Sequence, residues 1–154
     1  MHKITLLCVG KVNVDWIAEG CRDYLGRLKR QALVEVHELS ASKEKDPERQ
    51  KKDESLRLIS AMAKHKGDAV VLDEKGERMT SREFATLLSQ CFDSGTPMEF
   101  VIGGAYGLTE DVRKAARAVV RLSDMTFTHE MSRLILLEQI YRAAEIIKGS
   151  GYHH

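Results

Sequence analysis

The chain has 154 residues and a mass of 17.4 kDa, with 43% hydrophobic residues, 31% charged residues and a formal net charge of +1. That size fits one domain over residues 1–154, able to bury roughly two thirds of its unfolded surface. No apolar run approaches the ~20 residues of a membrane span, and the near-neutral charge argues against a protein that coats nucleic acid nonspecifically.

The start, Met1-His-Lys-Ile-Thr-Leu-Leu-Cys-Val9, has a short apolar run and no small-residue cleavage site. It reads as a first strand, Lys3 to Val9, of a cytoplasmic protein. Asn13 is then expected to cap a helix whose apolar stripe is Ile17, Cys21, Tyr24, Leu25 and Leu28. The lone Trp16 on that helix is expected to pack. Leu33 to Leu39 alternates as a second strand with one wet face, and Asp46-Pro47-Glu48 has the chemistry of a helix start. The six basic and five acidic residues between Lys43 and Arg57 suggest a solvated, salt-bridged helix face.

Ala69 to Leu72 reads as a buried strand, Asp73-Glu-Lys-Gly76 as a turn, and Thr80-Ser-Arg-Glu83 as a capping box opening a helix with the stripe Phe84, Leu87, Leu88, Cys91 and Phe92. Met98 to Ile102 is the next strand. It breaks into Gly103, Gly104 and Gly107 before Thr109-Glu110-Asp111 opens another helix. Glycine there frees the backbone to approach a ligand, though a tight strand-to-helix turn explains the pattern equally well. The strict alternation of strands and helices implies an α/β fold, a mainly parallel sheet with helices on both faces. Cys8, Cys21 and Cys91 are odd in number, far apart and in apolar contexts, so buried free thiols are expected, without a disulfide framework or a metal site.

Arg113, Lys114, Arg117 and Arg121 form the clearest basic patch, either a solvated helix face or a phosphate contact. The last helix, Glu130 to Lys148, has eleven apolar residues among the seventeen from Met131 to Ile147. Apolar residues around most of its circumference demand burial on several sides, which points to a homodimer interface or to a central core helix.

The combination of Val9-Gly10-Lys11, Val101-Ile-Gly-Gly-Ala-Tyr-Gly-Leu108, Leu122-Ser-Asp-Met-Thr-Phe-Thr-His129, the segment Arg133 to Arg142 and the terminal Tyr152-His153 resembles the RlmH family, over essentially the whole chain. That family lies within the SPOUT class of S-adenosyl-L-methionine-dependent methyltransferases. The resemblance implies a C-terminal trefoil knot, a homodimer through the C-terminal helix, and methylation of N3 of a pseudouridine in the helix 69 loop of 23S rRNA on the assembled ribosome. A knot runs against the general rule for chain topology, and no pattern argument produces it. By position, the resemblance assigns cofactor contacts to Leu72, Gly103, Leu122, Ser123, Asp124, Met125, Thr126 and Phe127. Adenine needs a flat apolar slot with a few backbone donors and acceptors, and these residue types suit that need. Gly103-Gly-Ala-Tyr-Gly107 follows a late strand and is not Gly-x-Gly-x-x-Gly, which argues against a nicotinamide enzyme.

Transfer to an imide nitrogen requires that its N–H be deprotonated or that the forming anion be stabilised. His129, next to the cofactor segment, is a candidate for that task, or else it caps or packs. Arg133, one turn on, either fixes a phosphate or base carbonyl or forms a structural salt bridge. Glu138 and Arg142 suggest an intrahelical pair. Tyr152 and His153 follow a Gly149-Ser-Gly151 hinge and either close over a flipped base or form a frayed end. Two rivals to the implied activity are a noncatalytic ribosome-binding or assembly factor and a methyltransferase of the same fold acting on transfer RNA.

Overall fold

Residues 1–154 are described by a computed structural model, in which five strands form one sheet in the order β2-β1-β4-β3-β5, every pairing parallel. The strands are β1 (His2–Val9), β2 (Ala32–Leu39), β3 (Asp68–Arg78), β4 (Met98–Ile102) and β5 (Ala118–Arg121). Between and after them run α1 (Asp15–Leu28), α2 (Pro47–Lys64), α3 (Ser81–Ser94), α4 (Glu110–Lys114) and α5 (His129–Lys148). Side chains alternate along each strand, and the two faces of the sheet therefore own separate cores. Ile4, Leu6, Cys8, Val70, Leu72, Phe100 and Ile102 pack with α1, α3 and α5. On the other face Leu7, Val9, Val71 and Val101 pack with Leu58 and Met62 of α2 and Val112 of α4.

Local signals account for most helix starts. The Asp46 side chain accepts from the Arg49 N–H at 3.0 Å, with Pro47 in the first turn of α2. Thr80 and Glu83 form the reciprocal capping box of α3, at 3.1 and 2.8 Å. All three cysteines are buried and free. No helix is long and apolar enough to cross a membrane.

Four local expectations are corrected. Asn13 does not cap α1; instead Glu130 Oε2, from the first turn of α5, accepts from the Asn13 and Val14 N–H groups at 3.0 and 3.1 Å. A side chain more than a hundred residues away thus satisfies donors that sequence reasoning assigned locally. Trp16 does not pack: it is 63% exposed, on the side of α1 away from buried Ile17 and Cys21. Asp73 to Gly76 is not a free turn but a bulge inside β3, where Leu72 and Glu77 both oppose Val120. A Cβ on Gly76 would lie 2.6 Å from the Val120 carbonyl carbon, which explains the glycine as a close backbone approach. Finally, the basic patch Arg113 to Arg121 is not one helix face but spans two elements, the five-residue α4 and the edge strand β5.

The last helix lies between α1 and α3 over the sheet, with Leu136, Leu137, Ile140 and Ala143 buried. One chain therefore supplies much of the burial that its composition demands.

Candidate active site

Parallel strands all present their carboxyl ends on one edge of the sheet, where connecting loops are free to diverge. Leu72 on β3 is in register with Ile102 of β4 on one side and Val120 of β5 on the other. Gly103 follows Ile102 directly and Leu122 follows the end of β5, so three cofactor candidates stand side by side along this edge. Leu72 is buried, and a Cβ on Gly103 would meet Leu108 Cδ2 at 2.6 Å. The space beside Gly103 is thus already filled by an apolar side chain.

Residues 122–127 make no backbone–backbone hydrogen bond, and the only bond to their main chain is from Met125 N–H to Ser123 Oγ at 2.9 Å. Asp124 is tied down from the sheet: Arg78 grips both of its oxygens, and Arg121 lies 3.4 Å away. This anchors the segment while leaving Leu122, Ser123, Met125, Thr126 and Phe127 to offer backbone polar groups. Met125 is 78% exposed.

The next loops along the same edge enclose a cleft of about 460 Å³ at the ends of β1, β2 and β4. Gly10, Lys11 and Asn13 form one wall, Glu38 to Ala41 another, Gln50 and Glu54 of α2 a third, and Gly104, Ala105 and His129 close it. Gly104 lines this cleft, while Gly103 stands one residue earlier at the end of β4 next to Leu72, so the glycine loop lies between the cleft and the β3–β5 end of the edge. That loop is a tight turn, closed by a Gly107 N–H to Gly104 carbonyl bond of 3.2 Å, with φ +81° at Gly107.

His129 is the first residue of α5, held there by the Thr128 side chain, which accepts from the Met131 N–H at 3.2 Å. Arg133 is buried beneath the cleft. Its Nη1 donates to Glu38 Oε2 at 2.5 Å and its Nη2 to the Gly10 carbonyl at 3.0 Å. Of the two roles open to Arg133, the salt bridge is the one formed, and both of its partners line the cleft. Cys8 lies close by, its thiol pushed up to about 11 by burial, a rise that the Arg133 charge only partly offsets.

Tyr152 and His153 stand elsewhere. The Tyr152 ring meets Tyr141 edge-on at 4.9 Å and lies 5.0 Å from the Arg142 guanidinium. Its hydroxyl donates to Glu138 Oε1 at 3.4 Å, while His153 Nδ1 lies 3.2 Å from Arg142 Nη1. Glu138 and Arg142 form the expected intrahelical pair, at 2.6 Å. At 1.5 Å per residue, Arg142 is roughly 20 Å along the helix from His129. The candidate catalytic residues thus form two groups within one chain, at opposite ends of α5.

A family model described as a predicted SPOUT methyltransferase matches residues 2–153. The chain belongs to the SPOUT methyltransferase family. It is 42% identical over 153 residues to the ribosomal RNA large subunit methyltransferase H of Geobacter sulfurreducens, covering 99% of each chain. Identity to the protein of that name from Geobacter sp. strain M21 is 44%, at the same coverage. In fold, it resembles a putative methylase family protein from Neisseria gonorrhoeae, with a TM-score of 0.58 and 12% identity over 92% of this chain and 82% of that one. It also resembles the SpoU methyltransferase AviRb from Streptomyces viridochromogenes, with a TM-score of 0.50 and 14% identity over 96% and 61% of the two chains.

For a SPOUT methyltransferase, the edge at β4, β3 and β5 suits the methyl donor. Adenine needs apolar cover and backbone partners; buried Leu72 and the unpaired main chain of residues 122–127 offer both. The basic patch suits phosphate less well than its composition suggests. Arg113 pairs with Asp73 and Glu110, Arg117 with Asp68, and Arg121 with Asp124, which leaves exposed Lys114 as the member outside an ion pair. Sequence reasoning missed Glu38, Gln50 and Glu54 as site residues and took Lys11 only as part of the Val9-Gly10-Lys11 match. They lie on three separate stretches, and the one spacing among them, Gln50 to Glu54 on α2, is the ordinary i,i+4 of a helix face.

Proposed function

We propose that this SPOUT methyltransferase transfers a methyl group from S-adenosyl-L-methionine to N3 of a pseudouridine in the helix 69 loop of 23S rRNA, on the assembled ribosome in the cytoplasm. The observation that carries this reading is the full-length similarity to proteins named ribosomal RNA large subunit methyltransferase H. The side-by-side placement of Leu72, Gly103 and Leu122 supports the donor site. S-adenosyl-L-methionine, held by Leu72, Gly103 and the segment Leu122 to Phe127, supplies an electrophilic methyl.

The chain's own task is placement and proton removal. His129, which lines the cleft beside Gly104 and Ala105 of the glycine loop, takes the N3 proton of the target base. Arg133 holds Glu38 and Gly10, and through them the shape of the cleft. Tyr152 and His153 complete the site from a second copy, because in their own chain they lie far along α5 from His129. That arrangement requires a homodimer built on α5, whose outward face still presents Ile147, 42% exposed. The trefoil knot of the family is part of the same proposal, formed where the segment after β5 passes to α5.

The test is incubation with methyl-labelled cofactor and whole ribosomes, free large subunits or transfer RNA, with the modified nucleoside identified by mass. Label on N3-methylpseudouridine from whole ribosomes is expected. Label on none of the three defeats the enzymatic reading, and label on transfer RNA alone reassigns the substrate.

A further inference from the structure

The cleft beside the donor edge contains a feature that neither the fold nor the ion pairs explain. Glu54, on α2, is only 2% exposed. Its Oε2 accepts from the Ser42 N–H at 2.9 Å, but its Oε1 is buried with no hydrogen-bond partner. A buried polar oxygen left without a donor is costly, and such atoms are rare outside sites that a ligand or solvent completes. This one lies against the glycine loop: a Cβ on Gly104 would be 2.5 Å from it. Glu54 also lines the cleft together with Lys11, Asn13, Gln50 and His129.

The wall chemistry selects the ligand class. Glu54, a carboxyl side chain with no ion-pair partner, disfavours a phosphate, whereas Glu38 is already held by Arg133. The Lys11, Asn13 and Gln50 side chains carry donors suited to carbonyl oxygens, and Glu54 is an acceptor in need of an N–H. A planar imide with two carbonyls and ring N–H groups, a uracil-type base, matches that set.

We infer that Glu54 is a specificity-determining residue that accepts a hydrogen bond from the N1–H of the target pseudouridine. The inference rests on the function proposed above and assigns the target-base pocket to this cleft. In pseudouridine the ribose bond at C5, the N1–H and the N3–H occupy alternate corners of the ring. With the ribose toward solvent and N3 toward Gly103 and the donor edge, N1–H points to the remaining side. Uridine bears its ribose on N1 and has no donor there, so a buried acceptor at that corner separates the two bases. Oε1 is covered by the Gly104 to Gly107 turn, and the base reaches it by displacing that turn. The turn is closed on itself by a single 3.2 Å bond and tipped by Tyr106, 52% exposed.

The experiment measures turnover on ribosomes carrying either pseudouridine or uridine at the target position, with the wild-type protein and with Glu54→Gln. The amide oxygen of the substituted side chain still accepts from the Ser42 N–H, and the cofactor dissociation constant, expected within about twofold of wild type, checks that the variant is folded. Wild type is expected to prefer pseudouridine on the order of 100-fold. Glu54→Gln is expected to lose about tenfold or more on pseudouridine while its rate on uridine changes little. A Glu54→Gln variant that keeps the wild-type preference overturns the inference alone, as does a wild-type protein that labels both ribosomes equally. No label from wild type on either ribosome overturns the functional reading and this inference with it.

Discussion

The two ends of α5 carry chemically similar side chains in opposite states. At the amino end, His129 lines an open cleft, and behind the cleft's glycine-loop wall lies an oxygen without a partner. Near the carboxyl end, Glu138, Arg142, Tyr152 and His153 are bound to one another, by an ion pair, a ring–guanidinium contact and hydrogen bonds. The Arg142 guanidinium is accordingly held above its ordinary range by its bond to Glu138, and burial raises the Tyr152 phenol. Groups already paired in this way are preassembled, but in their own chain they have no route to His129. An open end and a closed end on one helix are what a site shared between two copies would require.

The largest expected effect comes from the open end. His129→Ala should lower turnover by about 100- to 10,000-fold, the range for loss of a general base, with cofactor affinity largely intact by calorimetry. Mixing that variant with a chain lacking Tyr152 to His154 breaks or sharpens the comparison directly. Mixed dimers exceed the residual activity of the tail-less chain if the tail serves the partner's site, and show no such gain if it serves its own.

Beneath the cleft, Arg133→Ala should cost about 3 kcal/mol in urea unfolding. It removes one side of a pair whose Arg is buried and leaves Glu38 and the Gly10 carbonyl without their donors. The cleft end should also be the alkaline-sensitive end. Cys8 titrates near 11 when folded against an ordinary value of 9.0, so the folded state retains its proton longer than the unfolded chain does. Its contribution, about 2–3 kcal/mol, is fully present below pH 9 and is lost as pH rises toward 11. Burial raises Cys21 and Cys91 in the same direction. Unfolding by urea at pH 8, 9.5 and 11 should show this decline, and Cys8→Ala should flatten it.

Removing Tyr152 to His154 should lower turnover about tenfold while leaving cofactor affinity intact; collapse of cofactor binding would place the tail in the donor site instead. The smallest effect belongs to the loop that walls the cleft before α2. Asp46→Ala removes the N-cap and should cost about 1 kcal/mol, measurable as a lowered urea midpoint.

Signals confined to a few neighbouring residues were legible in the chain itself. The Asp46-Pro47 start, the Thr80 to Glu83 box, the buried Met98 to Ile102 strand and the glycine break after it all appear as expected, because caps, apolar runs and turns are set by short-range sterics and hydrogen bonding. The parallel α/β class followed from their alternation. The four-residue β5 was not legible: flanked by arginines and too short for periodicity, it is a strand only because β3 offers it a ladder.

The same limit governs the site. The glycine loop and the segment Leu122 to His129 stand out in one dimension, but their being neighbours depends on β3 lying between β4 and β5. Arg133 was open to a phosphate or to a salt bridge until the fold set Glu38 and Gly10 against it. Glu54 looked like one charge among many on a solvated helix, yet the packing of α2 against the glycine loop buries it with one oxygen unpaired. Short-range chemistry decided which residues are able to act, and the order of strands decided which of them meet, since partners 95 or more residues apart are chosen by the global packing of the sheet and not by any local period.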